Sequence, residues 1–448
     1  LSTLSVGDEI DLYRRKALRY SANSSKVEQL YLRAYDAFCS NDFEETLRLG
    51  HEILEIEPDN KLTHYTLAVI YSRILGLQRE GIHHLKRILE IDPDYSLAYN
   101  QLAYAYHTLG DQDSSLWAIN MYIDSAPDEP NPYDTRGDLY AYAGKIDKAI
   151  ESYEKAEERR PGFSILKIGH MYLFKGNYAR AESCYLAAAS GDDKWVRSAA
   201  RCFVAVVPMY KGKFQEALAL LDDAIGADEM EQTLAITYGD KFRLAADIYL
   251  ELGDYDRAVE LARLRRDALT RAHPDNSEYR FQFYVHVLAL AGRVEEAWEE
   301  LRSYEQIVGN ETRALPYSYY LEKGNIFRAA GRPDSGVVYF EKALEVAPTP
   351  YFHVRHMLGE AYLEMGRVDK AVDVLEQAIT SYDDARALVP VRAATAYYLL
   401  GRAYEESGWT DRAIEQYETF LELWEDADAG IPVLEDAKQR LERLKTAG

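Results

Sequence analysis

Residues 136–161 read RGDLYAYAGKIDKAIESYEKAEERRP, and residues 167–189 read KIGHMYLFKGNYARAESCYLAAA. Both stretches place a small residue (Gly137, Gly169) three positions before a tyrosine (Tyr140, Tyr172), then a glycine (Gly144, Gly176), then an alanine five positions on (Ala149, Ala181). The same order returns in MLGEAYLEMGRVDKAVDVLEQAI (357–379) and LLGRAYEESGWTDRAIEQYETFL (399–421). Pro58, Pro93, Pro127 and Pro161 stand 35, 34 and 34 residues apart. Self-similarity at this period predicts a stack of supersecondary units, each burying a face on its neighbours.

Packing explains the residue types. Each unit reads as a helix, a tight turn and a second, antiparallel helix. Gly137, Gly169, Gly324, Gly359 and Gly401 take the small position of the first helix, where the partner helix crosses closely. Tyr140, Tyr172, Tyr362 and Tyr404 follow three residues later and fill the space between helices. Gly110, Gly144, Gly176, Gly212, Gly253, Gly292, Gly331, Gly366 and Gly408 end the first helix, where a residue without Cβ takes positive φ. Ala149, Ala181, Ala217, Ala258, Ala297, Ala371 and Ala413 are the small residues of the second helix, which the prolines stop.

This spacing resembles the 34-residue tetratricopeptide repeat (TPR). The resemblance implies an all-α fold: a right-handed superhelical α-solenoid of about eleven helix-turn-helix repeats with a capping helix at its C-terminus. The repeats fall near 27–60, 61–95, 96–129, 130–161, 162–193, 198–231, 239–272, 278–310, 317–350, 352–385 and 394–427. Domain boundaries follow: a helical segment or partial repeat at 1–26, repeats one to six at 27–231, repeats seven to eleven at 232–429, and a cap at 430–448. Residues 226–238, 270–278, 307–316 and 380–391 read as interruptions. Repeats six to eight depart most, with Pro208 in place of the aromatic and alanine spacings of 41 and 39. The segment LYRRKALRY (12–20) reads as the second helix of a repeat whose first half is missing. With Leu rather than Met at position 1, this suggests a piece of a longer chain.

Composition narrows the function. The formal charge of −23, from 75 acidic against 52 basic residues, argues against nucleic acid, whose phosphates demand clustered Lys and Arg. Cys39, Cys184 and Cys202 lie far apart, so no disulfide framework or cysteine metal site is expected. Hydropathy predicts no membrane insertion, and no elbow, phosphate loop or paired nucleophile points to an enzyme. His353, His356 and Glu360 share one helix face, but a fourth ligand is not evident, so no metal and no cofactor is expected.

The order of the segments SKVEQLYLRAYDAFCSNDFEETLRL, YNQLAYAYHTLGD, PYDTRGDLYAYAGKIDKAI and AIEQYETFLELWEDAD also resembles the C-terminal TPR region of bacterial multidomain signalling regulators. That resemblance implies a regulatory or sensory scaffold that binds a protein or peptide. The expected compartment is the cytoplasm, the alternative being the extracytoplasmic region of a membrane-anchored regulator. Other readings are a self-associating structural element and, third, an atypical enzyme.

In a TPR array the concave wall comes from the first helices, at positions 2, 5, 6, 9 and 12 of each repeat. These include Tyr31, Tyr35, Tyr65, Asn100, Gln101, Arg243, Asp247, His286, Asn325 and Arg328. The peptide groove is expected at Tyr104, His107, Asp134, Asp138, Lys167 and His170. Asp134 and Asp138 would attract a basic partner segment and repel a C-terminal carboxylate, while Tyr104 supplies an apolar anchor site. Damage to one repeat is expected to stay with its neighbours.

Overall fold

The glycine that closes each first helix has the backbone the turn demands. Gly110, Gly144, Gly176, Gly212, Gly253, Gly292, Gly331, Gly366 and Gly408 all have φ between 65° and 76°, a region that costs a side chain strain. The turn then hands the chain to the second helix through short side-chain caps. Asp111 accepts from the Ser114 amide and Asn177 from the Arg180 amide, satisfying donors the helix start leaves open. The computed structural model describes residues 16–20, 23–39, 42–233, 236–272, 281–308, 316–346, 352–380, 382 and 384–447. Among them are 24 α-helices and no strand. None of the helices is long and apolar enough to cross a membrane. The helices alternate as eleven first-and-second pairs, with one short interposed helix and a final single helix.

Two compact units divide the chain, one comprising Leu1–Pro127 with Gln306–Ala314 and the other Asp128–Glu305 with Leu315–Gly448. Unit 1 holds three pairs: α1 Lys26–Cys39 with α2 Phe43–Ile56, α3 Lys61–Val69 with α4 Gln78–Ile91, and α5 Ser96–Thr108 with α6 Gln112–Ser125. Helix α3 runs on into a π-helical turn at Ile70–Ile74. Of the segment at 12–20, Lys16–Tyr20 are helical and the rest lies outside the described residues.

Unit 2 begins with α7 Asn131–Tyr142, α8 Ile146–Arg159, α9 Ile165–Phe174, α10 Tyr178–Ala189, α11 Lys194–Tyr210 and α12 Phe214–Glu231. It continues with α13 Ile236–Glu251, α14 Tyr255–Ala272, α15 Tyr284–Leu290, α16 Val294–Val308, α17 Tyr317–Ala329 and α18 Pro333–Val346. The last elements are α19 Phe352–Glu364, α20 Val368–Ile379, α21 Asp384–Ala387, α22 Pro390–Glu406, α23 Thr410–Leu423 and α24 Pro432–Ala447. Helix α24 caps the last pair through buried Leu434 and Ala437, its outer face carrying Glu435, Lys438 and Glu442.

The first residues of two expected interruptions, 226–238 and 270–278, are helical instead, and 273–278 lie outside the described residues. Residues 226–231 continue α12, because Asp228 is fully buried and held by Lys241 (2.7 Å), Arg201 (3.0 Å) and Ser198 (2.7 Å). A carboxylate does there what an apolar residue does elsewhere, and Gln232, at φ 55°, ends the helix. Helix α14 likewise runs to Ala272. Helices α12 and α14 have 18 residues each, about one turn more than the 14 of α8, which accounts for the stretched alanine spacing. Pro208 sits in the last turn of α11.

Unit 2 also folds back on itself. Helix α22 packs on α20 of the preceding pair and, in addition, on α11 and α13. Trp424, just past α23, is buried against Phe214, and its indole N–H donates to the Tyr210 carbonyl at 3.2 Å. The Asp428 amide donates to the Gly212 carbonyl (3.0 Å) and Arg243 to the Leu388 carbonyl (2.6 Å). The expectation that each repeat supports only its neighbours therefore fails in this unit.

Candidate functional site

The inner face of unit 1 is made by helical spacing alone. Tyr31, Tyr35 and Phe38 lie at i, i+4 and i+7 on α1, and Leu62, Tyr65 and Val69 at i, i+3 and i+7 on α3, so each set projects from one side of its helix. Together they line an apolar groove of about 400 Å³, whose floor includes Gly50 and Ile53 of α2. Leu62 is 59% exposed and Tyr35 53%. Polar contacts tie the wall together along the stack. Thr63 Oγ1 donates to the Tyr31 hydroxyl (2.9 Å), which donates to Asn60 Oδ1. Gln101 donates to the Tyr65 hydroxyl (3.3 Å) and accepts from Arg73 (3.0 Å). The Arg73 guanidinium in turn lies 5.8 Å from the centre of the Tyr104 ring. Tyr104 and His107 are half-buried on this wall, and burial holds the His107 imidazole below its ordinary pKa.

The other four expected groove residues belong to unit 2, where they meet one another. Lys167 of α9 donates to Asp134 Oδ2 and to Asp138 Oδ1 of α7, both at 2.7 Å. Ser164 donates to Asp134 (2.6 Å) and Tyr153 to Asp138 (2.8 Å). Both carboxylates are buried. Burial pushes the Asp134 carboxyl above its ordinary range, and Lys167 opposes that shift. His170 is buried as well, with Nδ1 at 2.8 Å from the Tyr185 hydroxyl and its ring 4.5 Å from that of Phe203. Burial, and then the Lys167 charge, lower its pKa to about 3, so it is a neutral core imidazole at pH 7. These contacts brace the fourth pair against the fifth.

Farther along unit 2 the wall residues Arg243, Asp247, His286, Arg328, His356 and Glu360 converge with α22. Arg392 donates to His286 Nε2 (2.7 Å) and pairs with Asp247 (3.4 Å), while Arg328 pairs with Glu360 (2.6 Å). Of these, Asp247, Arg328, His356, Glu360 and Arg392 line a cavity of about 190 Å³ together with Glu251. Among the described residues no three His, Cys, Asp or Glu side chains form a metal-binding group.

Sequence register could have named Phe38, Leu62 and Val69, since they occupy wall positions 12, 2 and 9 of their repeats. Glu251 and Arg392 fall outside those positions, and no local signal marks them.

Models of the tetratricopeptide repeat match residues 84–116, 131–163, 164–190, 327–389 and 394–425. Among curated proteins the chain is similar to Tetratricopeptide repeat protein 13 of Homo sapiens, 24% identical over 160 residues, or 36% of this chain. It spans 15% of the length of that relative. Among solved structures, MamA is 27% identical, with 34% of this chain and 89% of that chain covered and a TM-score of 0.30. Yeast Tom70 is 13% identical, with 98% and 96% covered and a TM-score of 0.43. Those matches identify the helix pairs at 131–163, 164–190, 327–389 and 394–425 as tetratricopeptide repeats, and the same glycine turn recurs in the pairs between them.

Proposed function

We propose that the chain is a non-catalytic scaffold that holds a protein or peptide, and that the inner wall of unit 1 receives an apolar anchor of that partner. The observation that carries this reading is the open apolar groove of about 400 Å³ between α1 and α3, with Leu62 and Tyr35 more than half exposed. A groove of that size, lined by tyrosine, phenylalanine and leucine, suits one or two large apolar side chains of a helix or extended segment. Tyr104 and His107 extend the same wall toward the third pair. Asp134, Asp138, Lys167 and His170 act in this reading as a brace behind any surface of unit 2. The partner segment is basic as well as apolar, because a chain with a formal charge of −23 steers cations toward itself.

We propose further that the array is the partner-binding half of a larger bacterial signalling protein, a reading supported by the resemblance of the segments quoted above. Selection of a random-peptide phage library on the intact chain tests the binding mode. The expected consensus is an aromatic or aliphatic anchor beside Lys or Arg, and Leu62→Asp is expected to abolish enrichment. Equal enrichment on the Leu62→Asp chain contradicts the groove.

A further inference from the structure

Unit 2 contains a recess whose chemistry is opposite to that of the groove. Three carboxylates (Asp247, Glu251, Glu360) and two guanidiniums (Arg328, Arg392) line the cavity of about 190 Å³. Both guanidiniums are engaged. Arg328 is held by Glu360 (2.6 Å) and Glu364 (2.8 Å), and Arg392 by His286 (2.7 Å) and Asp247 (3.4 Å). Asp247 is also paired with Arg243 at 3.5 Å. Glu251, the last residue of α13, has no hydrogen bond or ion pair among the described residues. His356 is 2% exposed and lines the same cavity, with Nε2 toward Thr395 Oγ1 at 3.5 Å and Nδ1 without a partner. A buried histidine with one unpartnered ring nitrogen and a carboxylate lacking a counterpart thus line one small space.

The remaining lining is mostly apolar, with Leu250, Leu290, Met357, Val389 and Val391 beside Tyr255 and Thr395. Such walls sheath methylene groups behind a charged head. The volume falls below the roughly 300–1,000 Å³ of small-molecule sites, so it accepts the end of one chain rather than a whole metabolite. An anion would find its two guanidiniums already taken and three carboxylates in opposition.

We propose that this cavity is a receptor for a single ammonium or guanidinium group carried on an aliphatic stem, with the Glu251 carboxylate as its counter-ion and His356 Nδ1 as a second acceptor. The source of that group is either a Lys or Arg side chain of a bound protein or a free polyamine. Burial first, then the neighbouring Glu360 and Asp247 charges, raise the Glu251 carboxyl to about 7. The groups facing it from the packed elements are Asp247 on α13, Arg328 on α17, His356 and Glu360 on α19, and Arg392 on α22. Cation binding requires the ionised form, so affinity rises with pH through neutrality.

Calorimetric titration of the intact chain with Nα-acetyl-lysine methylamide, its arginine counterpart and spermidine tests the site. The parent is expected to bind at least one probe, about tenfold tighter at pH 8 than at pH 6, as the ionised fraction of Glu251 grows. Glu251→Gln, which copies the protonated carboxyl and so keeps the fold, is expected to weaken binding at least tenfold at pH 8. Leu290→Trp, which fills the recess, is expected to do the same, with folding of both variants checked by circular dichroism. Preference for the lysine or arginine probe assigns the site to a protein side chain, and preference for spermidine to a free polyamine. Equal affinity of the parent and Glu251→Gln, affinity that falls as pH rises, or no binding of any probe at about 10 mM, weaker than the 1 mM level worth 4 kcal/mol, overturns the proposal.

Discussion

Gly137 lies against the ring of Tyr153: a Cβ on the glycine would stand 2.3 Å from Tyr153 Cε1. The relationship recurs sixteen residues apart in Gly169 with Tyr185 (2.4 Å), Gly324 with Phe340 (2.5 Å), Gly359 with Leu375 (2.6 Å) and Gly401 with Tyr417 (2.8 Å). In these five pairs the first helix gives up a side chain so that a large one from its own second helix can lie across it.

Gly137→Ala is therefore expected to cost about 1–3 kcal/mol by overpacking. Gly176→Ala is the comparison: its φ is 74° but nothing lies within 4 Å of the new Cβ, so only backbone strain of about 1 kcal/mol applies. Urea unfolding of both variants checks the order. A larger loss at Gly176 would show that turn conformation, not the crossing, limits stability.

Trp424→Ala is expected to cost about 3–5 kcal/mol, the usual range for emptying a buried aromatic site. The consequence should reach far along the chain, since Trp424 donates to a carbonyl 214 positions away at Tyr210. Hydrogen exchange is expected to speed up around residues 208–216 as well as 410–430. Loosening confined to 410–430 would mean that the fold-back contributes nothing to unit 2.

Removing Lys167 leaves two buried carboxylates side by side. Lys167→Met is expected to cost about 3–5 kcal/mol, the range for breaking a buried pair. The triple change Lys167→Met, Asp134→Asn, Asp138→Asn should recover most of it. In the single variant the Asp134 carboxyl, already raised by burial, takes up a proton more readily, so its deficit against the parent should shrink from pH 7 to pH 5. A deficit independent of pH would show that Lys167 matters only for packing.

Acid should weaken unit 2 before its exposed carboxylates are neutralised. Burial lowers His170 to about 3 and His356 to about 4, and it holds His353 well below its ordinary value. The unfolded chain binds these protons near 6.5 and the native state does not. The associated stability is thus complete above pH 6.5 and is lost as pH falls toward 4, at about 1.4 kcal/mol per histidine per pH unit. Glu251, raised to about 7, acts in the opposite direction, so two of the three histidines set the net slope. Urea midpoints at pH 7, 6 and 5 are expected to fall, and His170→Gln to flatten the fall. An unchanged slope in that variant would show that His170 does not contribute to the acid sensitivity.

Much of the fold was legible because the repeat is local. Glycine, tyrosine and alanine at fixed offsets encode a pair of helices without reference to the rest of the chain. The groove in unit 1 was half visible, since Tyr31, Tyr35 and Tyr65 stand at wall positions and the same register adds Phe38, Leu62 and Val69. What escaped depends on distance along the chain or on buried charge. The contact of Arg392 with His286 spans 106 residues, and no periodic pattern records it. Asp228 is the centre of a buried cluster that no periodic pattern marks, so 226–231 reads as part of an interruption. Asp134, Asp138 and Lys167 suit a groove by residue type, but only coordinates show that they bond to one another.

In the proposed function a partner's apolar anchor enters the groove between α1 and α3. The most direct test is the affinity, by fluorescence anisotropy, of a library-selected peptide for the parent, Leu62→Asp and Leu186→Asp. Leu186 is a comparably exposed leucine on a second helix of unit 2, at 48% against 59% for Leu62. A charge in the groove should cost at least about 2 kcal/mol, or roughly thirtyfold in affinity, as expected for a hot-spot contact, while the control stays within twofold of the parent. Equal affinity of Leu62→Asp and the parent would show that the groove does not receive the anchor.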